Sequence, residues 1–191
     1  MSDTPARLFY DYVDPLSMLL EHDVQALEAD GRNPVARHPL ELRAPPAAML
    51  DPKDPLWRRR WEQATSLAGS RGILLRPPAI VPWSRKAHEL ALHAREKGLF
   101  LQLHGALFHA YLTEGRDIGR VDVLVAIARE AGLDPQEARI VLGVDRHAAT
   151  LDGLRGEAER LGVRGVPTLL VAGERIEGVL PPEALRALLE V

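Results

Sequence analysis

The sequence of 191 residues predicts an α/β protein in which a helical block interrupts a small unit of strands and helices. Three observations indicate this fold class. An aromatic strand at residues 8–13 runs directly into an amphipathic helix, and the C-terminal segment from residue 166 has the pattern of two strands and a final helix. Between them, residues 56–161 follow helical spacing. Without this block, a compact α/β unit remains.

The first helix has clear signals at both ends. Asp14 is a typical N-cap residue, Pro15 stands at the first helical position, and Gly31 ends the run. Residues 35–42 alternate imperfectly and predict a second strand, after which a cluster of prolines up to Pro55 marks the crossing into the helical block. The apolar residues of the first helix recur at helical spacing: Leu16, Leu19, Leu20, Val24 and Leu27.

The helical block opens with two tryptophans four residues apart, Trp57 and Trp61. This spacing predicts core residues, with the arginines at 58–60 on a solvated face. A lid that presents these arginines to an anionic ligand is the alternative. Residues 121–131 are apolar on most sides and predict the buried helix of the block.

The C-terminal segment returns to strand patterning. Residues 166–178 predict two strands around a tight turn, and two prolines precede the last helix. We therefore assign residues 1–44 and 146–191 to one discontinuous α/β domain, and residues 45–145 to an inserted helical domain.

Composition excludes several classes of function. The formal net charge is -3 at pH 7, so no positive field holds a nucleic acid backbone, and we expect no nucleic acid partner. The sequence contains no cysteine, which removes disulfides, thiolate catalysis and cysteine-ligated metals. No apolar run approaches the ~18 residues of a membrane span, and the N-terminus lacks the pattern of a signal peptide. We expect a cytoplasmic protein without a membrane segment; nothing indicates an oligomeric state.

Four histidines of the helical block form two pairs: His88 with His93, and His104 with His109. The members of each pair are five residues apart, which turns them roughly 140° around a helix and away from a common face. We therefore expect no metal site and interpret these side chains as solvated or at the edge of the core.

Five segments of the chain, in order, resemble motifs of one known family. They are residues 9–13, residues 84–90, residues 108–118, residues 162–168 with Gly-Val-Pro-Thr, and residues 178–182 with Gly-x-x-Pro-Pro. The resemblance is to the DsbA family, especially its FrnE-like branch and the neighbouring kappa-class glutathione transferases and 2-hydroxychromene-2-carboxylate isomerases. It covers nearly the whole chain and implies a thioredoxin-like fold with a helical domain inserted.

The sequence departs from this family at the residues that carry its chemistry. Where the family has Cys-x-x-Cys, or a Ser-x-x-Ser-like version in the glutathione-using isomerases, this chain has Asp14-Pro15-Leu16-Ser17. Asp14 stands at the position of the reactive residue. It is either a general base or substrate anchor, or only an N-cap that contributes ~1 kcal/mol. Ser17 stands at the position of the resolving cysteine. Its hydroxyl either donates a hydrogen bond to a bound thiol or oxyanion, or forms one with Asp14 or water.

The same resemblance implies that Pro15, Val166 and Pro167 border the ligand. In thioredoxin folds the proline that opens this strand is cis, and we expect the same of Pro167. The backbone N–H and C=O of Val166 then pair with an extended peptide or with glutathione, as an added strand would. A trans proline at the first residue of a strand is the alternative.

Two hypotheses about function follow. The first is a DsbA-family protein, nominally an oxidoreductase by family, that has lost dithiol exchange and keeps the groove for a peptide or small thiol ligand. The second is a glutathione-dependent isomerase or transferase with Asp14 or Ser17 near the glutathione sulfur. Neither hypothesis requires a cysteine in the protein.

Overall fold

The computed structural model describes residues 5–190, which form four strands and eight α-helices. The strands are β1 (Arg7–Tyr10), β2 (Ala36–Pro39), β3 (Thr168–Val171) and β4 (Glu174–Glu177). The helices are α1 (Pro15–Ala29), α2 (Pro55–Ala68), α3 (Arg85–Glu96), α4 (Phe100–Leu112), α5 (Val121–Glu130), α6 (Pro135–Gly143), α7 (Ala148–Arg160) and α8 (Pro182–Leu189). The predicted α/β class is confirmed.

The four strands form one mixed sheet in the order β2-β1-β3-β4. β1 and β2 are parallel because α1 carries the chain back to the starting end, whereas β3 runs antiparallel to both β1 and β4. Leu8 in the central strand β1 lies opposite Arg37 on one side and Leu169 on the other. All four strands lie in the two outer segments that were predicted to form the α/β domain.

Two sequence predictions about element length are corrected. The stretch from 72 to 84, between α2 and α3, has no helix, although the block was expected to be helical from 56 to 161. It contains three prolines, which remove backbone donors and clash with a continuing helix. The strands are also shorter than predicted: β1 ends at Tyr10 instead of residue 13. β2 and β3 have four residues each, because Pro39 ends one strand and Pro167 precedes the other.

The helices of the block differ in burial: α3 is buried on all sides from Ala87 to Ala94, whereas α2 and α5 each bury one face. Trp57 and Trp61 on α2 are each 5% exposed, so the predicted core role of this pair is correct. α5 buries one face and leaves Asp122 and Arg129 exposed, so the prediction that residues 121–131 form the buried helix of the block is wrong; that helix is α3. None of the helices within residues 5–190 is long and apolar enough to cross a bilayer.

A buried polar network connects β1 to the inserted helices. Asp11, directly after β1, lies with Oδ1 3.1 Å from Nε2 of His88 and accepts the Leu42 N–H on Oδ2 at 2.6 Å. The hydroxyl of Tyr12 lies 2.8 Å from Nδ1 of His104. Both histidines are fully buried, which corrects their interpretation as solvated or core-edge residues.

Glu21 on α1 is the charged end of this network. Arg37 in β2 pairs with Glu21 at 2.9 Å and with Glu28 at 2.5 Å, and His104 Nε2 lies 3.5 Å from Glu21 Oε2. Burial alone raises the pKa of Glu21, but contacts with His104 and Arg37 outweigh it and bring the pKa from 4.5 to about 2. These pairs fix α1 against β2 and α4.

Candidate functional site

Asp14 is the N-cap of α1 and the centre of the candidate site. Its backbone is extended, with φ -93° and ψ 116°, and Oδ2 accepts the N–H of Ser17 at 2.8 Å. The Ser17 hydroxyl donates to the same oxygen at 2.5 Å. Pro15 occupies the first turn between them, and all three residues are buried. The sequence prediction of a capped helix start is correct.

Arg60 on α2 supplies the charge opposite Asp14. Its Nε donates to Oδ1 of Asp14 at 2.5 Å, while its Nη2 donates to the carbonyl oxygen of Val166. The Asp14 side chain is fully buried and that of Arg60 is 27% exposed, so the ion pair lies at the edge of the core. The prediction of a solvated arginine face holds for Arg58 and Arg59, which are exposed, and is wrong for Arg60.

Ser17 has no free hydroxyl hydrogen at this site. Its Oγ donates to Asp14 and also accepts the backbone N–H of Asp11 at 3.3 Å. Ser17 is 0% exposed, so neither solvent nor a ligand reaches the hydroxyl in this arrangement. These contacts favour the structural interpretation of Ser17 as a first-turn serine that completes the cap.

The Val166-Pro167 segment lies beside the helix start, connected to it through Arg60. The peptide bond before Pro167 is cis. The carbonyl of Val166 is held by Arg60, whereas the Val166 N–H finds no acceptor among residues 5–190. Of the two backbone groups that we expected to pair with a ligand, one is therefore occupied from within the chain and one is free.

Two neighbouring cavities border this segment, with volumes of about 450 and 510 Å³. Leu42 lines both; Val166 borders the first and Arg60 the second. We call the two together the Val166 groove. Its charged and amide side chains are Glu41, Arg43, Asp54, Arg59, Arg60, Gln63, Arg155, Glu159 and Arg164.

The charges of the Val166 groove are partly paired. Arg155 pairs with Glu41 at 3.2 Å, and Asp54 caps α2 by accepting the N–H groups of Leu56 and Trp57. The remaining arginines, Arg43, Arg59 and Arg164, have no carboxylate within ion-pair distance among residues 5–190. Two carboxylates of the lining, Asp54 and Glu159, have no cation partner there either. The groove thus has an excess of exposed positive charge.

Comparison with known proteins identifies the family of this chain. A family model described as the DSBA-like thioredoxin domain matches residues 7–190. The chain belongs to this DsbA-like thioredoxin family. Uncharacterized protein YwbO of Bacillus subtilis is 26% identical in an alignment 186 residues long that covers 90% of this chain and 88% of that protein.

Solved structures share the fold of this DsbA-like chain. A probable DsbA oxidoreductase from Streptomyces coelicolor has a TM-score of 0.81 at 22% identity, covering 97% of this chain and 88% of that one. 2-Hydroxychromene-2-carboxylate isomerase has a TM-score of 0.76 at 18% identity, covering 97% and 92%. Cytosolic disulfide reductase DsbM from Pseudomonas aeruginosa, solved with GSH, has a TM-score of 0.71 at 20% identity and 98% of each chain. These similarities establish the thioredoxin-like fold.

The structure shows that Arg60 is the counter-ion of Asp14. This role was not predicted from the sequence. The free N–H groups at a helix start favour an anion, and Asp14 provides that anion. A buried carboxylate needs a cation as well as hydrogen-bond donors. The sequence therefore implied that Asp14 has a cationic partner. It did not show which of the three consecutive arginines at 58–60 fills this role.

Proposed function

We propose that this DsbA-like protein binds a small anionic peptide-like ligand, with glutathione as the type, in the Val166 groove and without thiol exchange. The observation that carries the proposal is that two cavities meet at Leu42: one is bordered by Val166, whose N–H is free, and the other is lined by Arg43 and Arg59, which have no carboxylate partner within residues 5–190. A peptide carbonyl takes the N–H, and carboxylates take the guanidinium groups. Arginine suits this task because its planar fork matches a carboxylate.

Absence of cysteine excludes dithiol exchange, since a protein thiolate is needed to form the mixed disulfide. The Asp14–Arg60 ion pair lies at the position where the DsbA family has its reactive cysteine. Every oxygen of Asp14 is engaged, by Ser17 on one side and by Arg60 on the other. Asp14 therefore stabilises the helix start beside the Val166 groove and is not free to act as a nucleophile or a general base.

The isomerase or transferase hypothesis receives less support from the geometry. It requires the Ser17 hydroxyl or the Asp14 carboxylate to meet a ligand sulfur, but both groups are buried and hydrogen-bonded to each other. A cytoplasmic location fits the binding proposal, because glutathione keeps thiols reduced in the cytosol.

Calorimetric titration of the purified chain with glutathione tests the proposal. S-methylglutathione is expected to bind with equal affinity because the sulfur is not used, whereas glutathione diethyl ester, which lacks both carboxylate charges, is expected to bind at least about tenfold more weakly. If glutathione shows no binding at millimolar concentration, the proposal is wrong. Binding that requires the free thiol would instead support the isomerase or transferase hypothesis.

Two neighbouring arginines on α2 provide a matched pair of variants. Arg59 lines the Val166 groove, while Arg58 lines a separate cavity with Pro77 and Pro78. We expect Arg59→Gln to weaken glutathione binding about tenfold, which corresponds to one charge-assisted hydrogen bond. Arg58→Gln removes the same charge from the same helix and is expected to leave the affinity unchanged. Equal losses in both variants would indicate a general charge effect and contradict the assignment to the groove.

A further inference from the structure

Two buried histidines and a glutamate converge at a place that does not border the Val166 groove. His93 lies on α3, and His147 is the N-cap residue of α7. Nδ1 of His93 and Nε2 of His147 lie 3.7 and 3.9 Å from the same atom, Oε2 of Glu96. One ligand atom of each residue lies within 4.8 Å of those of the other two.

Three of the four ring nitrogens of this cluster are buried without a hydrogen-bond partner. Both nitrogens of His93, whose side chain is 0% exposed, and Nε2 of His147, whose side chain is 9% exposed, are unpartnered within residues 5–190. Buried polar atoms without a partner are rare in folded proteins, and three in one place need an explanation. A bound cation supplies one, because the lone pair of a neutral imidazole is a good metal ligand.

We propose that His93, Glu96 and His147 bind a divalent first-row transition metal ion, for which Zn²⁺ is the probe. Imidazole nitrogen and carboxylate oxygen are the ligand types that such ions take. In a tetrahedral site with bonds of about 2.1 Å, ligand atoms are about 3.4 Å apart, close to the 3.7 and 3.9 Å that separate Glu96 Oε2 from the two histidine nitrogens. Glu96 follows His93 by one helical turn, so both project from the same face of α3.

Glu137 and Arg146 act on this site in opposite directions, and Glu137 is itself paired with Lys97 at 2.6 Å. Oε2 of Glu137 on α6 lies 3.9 Å from Nε2 of His93, the nitrogen that faces away from Glu96. A carboxylate at that nitrogen orients a metal-binding imidazole and raises its affinity. Nη2 of Arg146 lies 3.3 Å from Oε2 of Glu96 and competes with the metal for this oxygen.

A metal ion here would connect the two predicted domains. His93 and Glu96 belong to the helical insertion, and His147 begins the C-terminal segment of the α/β domain. The backbone N–H of His147 already donates to Oε2 of Glu89 on α3 at 3.2 Å, so the start of α7 is held in place before any metal binds. We assign the ion a structural role, in which it raises the stability of the folded chain.

Metal binding is measured on the purified full chain after treatment with EDTA and dialysis. Calorimetric titration with Zn²⁺ is expected to give one ion per chain, and Co²⁺ to show visible absorption bands from nitrogen and oxygen ligands. At a free Zn²⁺ concentration about 100 times the Kd, the melting temperature is expected to rise by roughly 5 to 10 °C. Failure of the wild-type chain to bind either ion saturably would overturn the proposal.

Variants of the ligands then locate the ion. We expect His93→Gln and His147→Gln to abolish one-to-one binding. His109→Gln is the matched control, because His109 on α4 is an exposed histidine outside the cluster, and it is expected to bind normally. Binding that survives in both ligand variants, or that is lost in the control, would contradict the assignment.

Exposed neighbours keep the test valid if a buried histidine variant does not fold. Glu137→Gln is expected to weaken Zn²⁺ binding about 10- to 100-fold. Arg146→Gln is expected to tighten it, because the change frees Oε2 of Glu96. Adventitious binding to surface histidines predicts no change in either variant, so that result would overturn the proposal.

Discussion

Nε of Arg60 donates to Oδ1 of Asp14 at 2.5 Å, across 46 residues of sequence. The same guanidinium also contacts the Val166 carbonyl, so one side chain joins the start of α1, the helix α2 and the residue before Pro167. The DsbA family has its reactive cysteine at the position of Asp14, where the helix start stabilises a thiolate. Here the anion is a carboxylate that brings its own counter-ion, and the positively charged helix start is neutralised without a ligand.

Replacing Arg60 by Gln is expected to destabilise the protein by about 2 kcal/mol, because it leaves the buried Asp14 charge with only the Ser17 donors. The figure is below that for a fully buried pair, since Arg60 is partly exposed. Urea unfolding of the variant measures it. Arg58→Gln on the same helix is the control and is expected to change the unfolding free energy by less than about 0.5 kcal/mol.

A double variant separates the ion pair from other effects of losing Arg60. Asn caps a helix about as well as Asp, so Asp14→Asn removes the charge and keeps the cap. The combination of Asp14→Asn with Arg60→Gln is expected to cost at least about 1 kcal/mol less than the sum of the single changes. Strict additivity would mean that the two side chains do not interact in solution.

The protein is expected to show no disulfide reductase, oxidase or isomerase turnover. Exchange proceeds through a mixed disulfide with a protein thiolate, and the chain has no cysteine. Insulin reduction monitored by turbidity checks this expectation. A rate above the background of dithiothreitol alone would show that the protein catalyses disulfide exchange without a thiolate of its own and would contradict the prediction.

The Glu21 carboxylate is expected to make the fold sensitive to acid. Its pKa is lowered to about 2 in the folded protein, so its contribution is fully present above the unfolded value near 4.5 and is lost as pH falls from 4.5 toward 2. The difference between the two pKa values corresponds to about 3 kcal/mol.

Glu21→Gln tests this linkage through urea unfolding between pH 7 and pH 2. The variant is expected to be less stable than wild type at pH 7, and the difference is expected to shrink by about 3 kcal/mol as the pH falls below 4.5. Glu62→Gln, at an exposed position of α2, should follow the wild-type profile. A difference between Glu21→Gln and wild type that stays constant with pH would contradict the lowered pKa.

Local signals in the sequence were sufficient for most of the fold. The cap and proline at Asp14 and Pro15 define α1, and the spacing of Trp57 and Trp61 identifies a buried face. The contact of Arg60 with Asp14 was not predictable in this way, because periodicity assigns a residue to a helix face but not to a partner on another element.

The histidines illustrate the same limit. The five-residue spacing of His88 and His93 places them on different faces of a helix, so the sequence predicted no metal site there. The partner that the fold provides is His147, which α7 brings from a different segment. Pairings of this kind depend on how helices pack, and a pattern within one helix carries no information about them.

Glutathione at about 100 times its Kd is expected to stabilise the protein by ~2.7 kcal/mol, a rise in melting temperature of roughly 5 to 10 °C. Arg43 and Arg59 are exposed, so their attraction for the ligand carboxylates is screened by salt. The Debye length falls from about 30 Å at 0.01 M to about 3 Å at 1 M. At a fixed glutathione concentration the shift should therefore shrink as NaCl increases, measured against ligand-free protein in the same salt. A shift that does not depend on salt would mean that backbone or apolar contacts hold the ligand and that the arginines of the Val166 groove do not.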